Sequence, residues 1–330
     1  HICKKMNDVT LLAEMIERSA TPMLQHAIVT LETWLNELPP SMLRNRPGLL
    51  SIRGTVIYTK GDVHEGLSLL MQAEKLYRQE NNVSGLNLTL IRRATVYRFL
   101  GEYAAALRDV EEVIQSTQAD DDMQILHAEA LRLKGLVLFR LGNARQSIPY
   151  LERSLTLFQL NYKTNIPILL METGMAYRAT GNFSDARSAY EKALQIWRQT
   201  GNLSWQASLL NNMGGMYHVQ GEYEKAVFAF EEGLLCAQRS RNARLDILIS
   251  IGLGDLFAEL EDFNMAEKNY QYAIEAFRGM DDRFLSHSLT FAQINLALLK
   301  QDGVTARTIL DEVLNVIKAG QSNYEKGFLS

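Results

Sequence analysis

The sequence predicts an all-α repeat protein, and three observations carry that prediction. A turn-like segment returns at near-constant intervals, small and bulky residues recur around it at helical spacing, and no stretch keeps the β-branched alternation of a strand. The segment reads GDVHEG at 61, GEYAAA at 101, GNARQS at 142, GNFSDA at 181, GEYEKA at 221 and EDFNMA at 261, with QDGVTA at 301 as a last, shifted copy. The small residue closing each copy falls at Gly66, Ala106, Ser147, Ala186, Ala226, Ala266 and Ala306, so the steps are 40, 41, 39, 40, 40 and 40 residues. That regularity overrides the prior of about two domains that the length alone would set.

The element before each turn reads as a helix. Twelve residues ahead of the closing residue stand Gly54, Ala94, Gly135, Gly174, Gly214 and Gly254, with Ile294 breaking the pattern. Four residues earlier come Leu50, Leu90, Leu131, Leu170 and Leu210, replaced by Ser250 and Thr290 in the last two copies. Three residues later come Ile57, Tyr97, Leu138, Tyr177, Tyr217, Phe257 and Ala297. Offsets of this kind share one helix face, and a small residue at its centre lets a second helix approach closely.

The element after each turn supplies that second helix. Its bulky positions are Leu70, Val110, Leu151, Tyr190, Phe230, Tyr270 and Leu310, followed one turn on by mostly small residues from Ala73 to Val313. Upstream, residues 7–38 read as a further helix pair, and LPPSMLRNRP, with Pro39, Pro40 and Pro47, as an extended link. Pro149 falls inside a second helix, where a kink or a delayed start is expected. The domains expected are therefore 1–46, a helix pair and link; 47–319, seven repeats; and 320–330, the start of a further repeat after a stop at Gly320. Apolar Phe291 and Leu298 in the last repeat, where a stack should be capped by polar residues, suggest a truncated stack.

This pattern resembles the tetratricopeptide repeat, W-x2-L-G-x2-Y…A-x3-F, with Leu mostly in the Trp place and a period of 40 rather than 34 residues. The resemblance implies a right-handed superhelix of about eight antiparallel helix pairs.

Composition narrows the function. The chain is 47% hydrophobic and 22% charged with a net charge of −4, as in a soluble globular protein. No window approaches a membrane span, and the first residues, HICKKMNDVT, have no apolar core of a signal peptide and no starting Met, as in an excised piece of a longer protein. Cys3 and Cys236 are too few for a disulfide framework, which points to a reducing, cytoplasmic setting. Residues 1–160 carry 18 basic and 18 acidic side chains and the remainder 16 and 20, so neither half suggests direct nucleic-acid binding.

Signals for chemistry are weak. GDVHEGLS has glycines at phosphate-loop spacing but Leu67 where the lysine must stand, and GLG at 252–254 lacks the third glycine of a dinucleotide site, so no cofactor is expected. No histidine pair has zinc-helix spacing; only His218 has a carboxylate four residues on, Glu222. Asp120, Asp121 and Asp122 read as a solvated helix start, and Cys236 as an inert thiol. No enzymatic activity is expected.

Binding is the better expectation. The stripe one residue round from the core face of each first helix lines the inner wall of a tetratricopeptide superhelix. In the middle of the chain it brings Arg98, Arg132, Arg140 and Arg178 alongside Met171, Met175, Asn211, Gly215, His218 and Asp255. That mixture suits an anionic or polar ligand, or an acidic peptide. The plainer reading is that the arginines pair with Glu129, Glu172 and helix ends and the methionines fill gaps.

The segment from LETWLNELPP to LLMQAEKLYRQ, with Leu31, Trp34, Leu35, Leu38, Pro39, Arg46, Pro47 and Leu49, resembles the start of the sensor region of MalT-type regulators, the large ATP-binding, LuxR-family members of the signal-transduction ATPases with numerous domains. The resemblance implies a sensor that takes a small-molecule inducer or a protein or peptide in its concave groove. The ATPase and helix-turn-helix domains would lie outside this sequence. The alternative is a stand-alone tetratricopeptide scaffold for a peptide or protein partner.

Overall fold

A computed structural model describes residues 8–118, 120–161, 165–280 and 282–319. The helices are α1 Val9–His26, α2 Ile28–Asn36, α3 Pro40–Asn45, α4 Pro47–Thr59, α5 Val63–Gln79, α6 Val83–Leu100, α7 Tyr103–Thr117, α8 Gln124–Arg140 and α9 Ala144–Asn161. They continue as α10 Ile166–Ala179, α11 Phe183–Thr200, α12 Leu203–Val219, α13 Tyr223–Arg239, α14 Ala243–Glu259, α15 Phe263–Phe277, α16 Arg283–Leu299 and α17 Gly303–Ala319. Among the described residues no strand forms. From α4 onward the helices alternate as first and second members of the seven repeats. The chain divides into two compact units, His1–Thr164 and Asn165–Ser330.

Local chemistry sets the helix boundaries. The turn inside a repeat needs one residue in the left-handed region, and Gly61, Gly101, Gly142, Gly181 and Gly221 supply it with φ between 72° and 109°. In the last two repeats Glu261 and Gln301 take that conformation at 59° and 60°, which is why their turn segments lost the glycine signature without losing the turn. The residue after it often caps the second helix: Asp62 accepts from the Glu65 N–H at 3.0 Å and Asp262 from the Met265 N–H at 3.1 Å.

The small residues of the first helices serve close packing. A Cβ on Gly54 would stand 2.8 Å from the Gly66 carbonyl oxygen, one on Gly174 2.5 Å from the Tyr190 ring, and one on Gly254 2.4 Å from the Tyr270 ring. The bulky residues of the second helices, Leu70, Val110, Leu151, Tyr190, Phe230 and Tyr270, are all buried against them. Each such side chain contributes about 1.5–3 kcal/mol of burial.

The proline-rich link differs from expectation. It folds as the short helix α3, and only Pro39 (ψ 139°) and Arg46 (ψ 107°) are extended. Both precede a proline, which disfavours the helical region for them, whereas Pro40 and Pro47 open α3 and α4 at the position where a missing N–H costs nothing. The start of α9 is not delayed by Pro149, since the helix begins at Ala144. Between α7 and α8, Asp121–Met123 forms one turn of 3-10 helix. The predicted stop at Gly320, the tail after it and Cys3 lie outside the described residues.

Candidate functional site

The ten residues singled out from sequence fall in both units. Arg98, Arg132 and Arg140 belong to the first. Arg98 lies over the Phe99 ring, 4.5 Å from its centroid, Arg132 pairs with Glu129 at 3.2 Å, and Arg140 is exposed at the end of α8. In the second unit Met171 is buried in the packing of α10 and Met175 is half-buried beside it. The position three residues before the central small residue is also buried at Ser51, Ile91 and Ile251. That offset therefore borders the core in several repeats, although Asn211 and Ile251, which share it, also line the cleft of the second unit.

Arg178, Asn211, Gly215, His218 and Asp255 line one cleft of about 420 Å³ in the second unit. Its other walls are Asn212, Leu248, Ile251, Gly252, Ser288, Phe291, Ala292 and Asn295, with the buried Phe230 ring beneath. Four successive first helices, α10, α12, α14 and α16, supply all of these except Phe230 of α13. Sequence reasoning missed Asn212, Leu248 and Ser288. They stand two and six residues before the central position of their repeats, an i, i+4 stripe adjoining the one first considered.

The polar groups of the cleft divide into those already engaged and those that are not. Asp255 accepts a hydrogen bond from the Tyr270 hydroxyl at 2.6 Å; burial pushes its carboxyl above the usual range, opposed by Tyr270 and by His218. His218 does not pair with Glu222, which is taken by Arg187 and Lys225. Its Nε2 instead meets Glu259 Oε2 at 2.6 Å, and the Tyr223 hydroxyl donates to Glu259 Oε1 at 2.9 Å. Those two contacts, Tyr223 first, hold the Glu259 carboxyl below its ordinary range.

Arg178 is different. Its guanidinium passes over Gly215, with Nη1 3.7 Å from where a Cβ would stand, and among the described residues it has no carboxylate at ion-pair distance. Its Nε and the Tyr190 hydroxyl beside it are both buried without a well-formed hydrogen bond. Burial pushes the Tyr190 phenol up to about 12, against the pull of Arg178. The carboxamides of Asn211, Asn212 and Asn295 likewise make no side-chain hydrogen bond to the described residues. The cleft thus presents a cation and three donor–acceptor amides to whatever enters it. Among the described residues no cluster of histidine, cysteine and carboxylate side chains is placed to hold a metal ion.

Sequence and structure comparisons bear on these helices. The family model described as "Tetratricopeptide repeat" matches residues 126–199, 165–239 and 205–279, and that of anaphase-promoting complex subunit 5 matches 52–136 and 262–330. No curated protein matches the sequence. Among solved structures, the chain is similar to a signal-transduction ATPase with numerous domains that has a tetratricopeptide repeat sensor, from Pyrococcus horikoshii (TM-score 0.72, 15% identity, 98% of this chain and 50% of that one). It is also similar to a Rap protein complexed with competence and sporulation factor (TM-score 0.66, 13% identity, 94% and 85% covered). A third is the Rap conjugation gene regulator of plasmid pLS20, in complex with the Phr* peptide (TM-score 0.59, 14% identity, 85% and 73% covered).

Proposed function

We propose that this tetratricopeptide-repeat protein binds a linear peptide in the cleft of its second unit, as the sensor module of a signal-transduction ATPase regulator. One observation carries the peptide reading: Asn211, Asn212 and Asn295, whose carboxamides have no side-chain hydrogen bond among the described residues, line the same cleft as Arg178. An asparagine amide offers one acceptor and two donors, the complement of a peptide group's N–H and C=O. Such amides on two helices of one cleft can hold an extended backbone independently of its sequence. Arg178 then selects for a carboxylate, either an acidic side chain or a chain terminus. The two Rap proteins, one complexed with competence and sporulation factor and the other with the Phr* peptide, have a similar fold and support this choice.

The sensor reading rests on the residues around Trp34 to Leu49 and on the likeness to half the length of the Pyrococcus ATPase. A sensor must bind its ligand better in one arrangement than in another, since equal affinity shifts no equilibrium.

The test is selection of linear peptides from a display library on the purified chain, followed by anisotropy titration of the selected sequences. Asn211→Ala and Arg178→Gln should each weaken binding about tenfold, the effect of one lost hydrogen bond to a desolvated or charged group. Selected peptides should be enriched in acidic residues. Affinities unchanged in both variants would place the peptide elsewhere and sink the assignment.

A further inference from the structure

The second unit also has a groove between the second helices of two successive repeats. It measures about 400 Å³ and runs between α11 and α13 over α12. Leu194, Leu210, Met213, Tyr217 and Ala229 give it a buried, mostly apolar floor, and the Phe228 ring stands on one wall, 68% exposed. Leu235, 56% exposed, lies two helical turns further along α13 on the same face.

The repeat does not account for either side chain. They stand two and nine residues after Ala226, the small residue that closes their turn. The other repeats hold Ser68, Arg108, Pro149, Ser188, Lys268 and Thr308 at the first of these positions. At the second they hold Lys75, Gln115, Thr156, Gln195, Glu275 and Asn315. A large apolar residue thus occurs at these positions only in α13, and there at both. One exposed apolar side chain needs no explanation, but two on one stripe beside an apolar groove form a patch of the kind that marks an interaction site.

The charge around the patch is predominantly negative. Arg198 pairs with Glu232 at 2.5 Å, and Lys225 and Arg187 both pair with Glu222. Glu191 and Glu224 on the rims, and Glu231 between Phe228 and Leu235, are exposed and have no cationic partner among the described residues. Five carboxylates therefore face three cations. On the stripe itself a cation comes only with Arg239, the last residue of α13.

We propose that this face of α11 and α13 is a docking surface for an amphipathic, basic helix of a partner protein. Phe228 and Leu235 are about 10 Å apart along the helix axis, as are Glu224 and Glu231. A partner helix with apolar residues repeating over two turns covers the first pair, and lysine or arginine flanking its apolar face meets Glu191, Glu224 and Glu231. A second copy of this chain fits poorly, because two-fold pairing sets the acidic rim against itself.

Fluorescence anisotropy on the full chain tests this with a labelled 18-residue helical peptide of leucine and lysine, its leucines confined to one face. Two comparison peptides keep the composition of that face but carry glutamate for lysine, or scatter the leucines around the helix. The first peptide should bind at one site per chain, the glutamate peptide should not bind, and the scattered one should be at least tenfold weaker. Phe228→Ser combined with Leu235→Gln, which installs the residue types of Ser188 and Gln195, should abolish binding. Glu191→Gln, Glu224→Gln and Glu231→Gln combined should weaken it about tenfold, the effect of three exposed ion pairs. Asn211→Ala, in the cleft of the same unit, should leave it unchanged. The proposal is overturned if the lysine peptide does not bind, if the glutamate peptide binds as well, or if the Phe228 and Leu235 double variant binds as the parent does. A dimer in sedimentation that this double variant dissolves would assign the face to a second copy, which also overturns it. Should circular dichroism show the double variant unfolded, the triple glutamine variant decides, and unchanged affinity there overturns the proposal.

Discussion

Gly214 and Gly215 are adjacent on α12, and replacing each by alanine should have opposite effects. A Cβ on Gly214 would stand 2.6, 2.7 and 2.8 Å from Cδ1, Cε1 and Cγ of Phe230. Real contacts need about a further ångström, so the ring must move as a whole. Its room is limited, because the backbone of Gly252 packs against the same ring, where a Cβ would stand 2.8 Å from Cε1 and 2.9 Å from Cζ. Overpacking of a clamped aromatic belongs at the upper end of its usual range, about 3 kcal/mol. Alanine's helix preference returns about 1 kcal/mol, leaving a net loss of about 2 kcal/mol. Gly215 faces the cleft, and its Cβ would meet nothing nearer than Arg178 Nη1 at 3.7 Å, an ordinary contact. There the helix preference acts alone, and Gly215→Ala should stabilise by about 0.5–1 kcal/mol. Urea unfolding followed by tryptophan fluorescence reports this unit through the stacked Trp197 and Trp205, ring centroids 5.3 Å apart, alongside Trp34 of the first unit. Phe230→Leu should relieve most of the Gly214→Ala penalty, as the two share one space. Equal effects of the two glycine substitutions would refute the reasoning that face, and not residue type, fixes what these glycines do.

Two further outcomes follow from buried ionisable groups. Arg93 donates to both carboxylate oxygens of Asp109 at 2.8 Å and also pairs with Glu74, all within the first unit, so Arg93→Met should cost about 3–5 kcal/mol in urea unfolding by leaving buried charge uncompensated. Burial already raises the Asp109 carboxyl despite Arg93, so the folded state holds that proton more tightly than the unfolded chain and stability falls as pH rises through the folded pKa. The variant's deficit should accordingly shrink on going from pH 7 to pH 5; a deficit that grows on acidification would contradict it. The Cys236 thiol is raised first by burial and then by Glu232, so its alkylation by iodoacetamide at pH 8, read by peptide mass spectrometry, should be much slower in the folded chain than in urea. Equal rates in both would mean that the thiol is open to solvent.

The fold was legible because its determinants are local and repeated. The small residues ahead of each turn, the turn glycines and the bulky residues behind them mark where two helices touch, and one copy explains the next. Even Glu261 and Gln301, which break the glycine rule, keep the spacing. The proline link was misread for a local reason. Pro40 and Pro47 open helices as readily as they interrupt them, and which they do depends on where the helix begins rather than on the residue.

The cleft was only half legible, and the reason lies in the distance over which its partners act. His218 was matched in sequence with Glu222, one turn away, yet it meets Glu259, 41 residues on. Arg178 looked like the other arginines of the wall, but Arg132 has a carboxylate three residues earlier on its own helix and Arg178 has none at ion-pair distance among the described residues. The pairings that decide such differences lie about one repeat apart: Arg78 with Glu112 at a separation of 34, Arg187 with Glu222 at 35, Arg244 with Asp282 at 38 and Arg92 with Ser51 at 41. A stack in which each repeat touches mainly its neighbours must behave this way. Partners in such a chain are therefore found by searching one period away rather than one helical turn away. A charged first-helix residue with no complement in either window is the one to test for a ligand, and Arg178 meets that description.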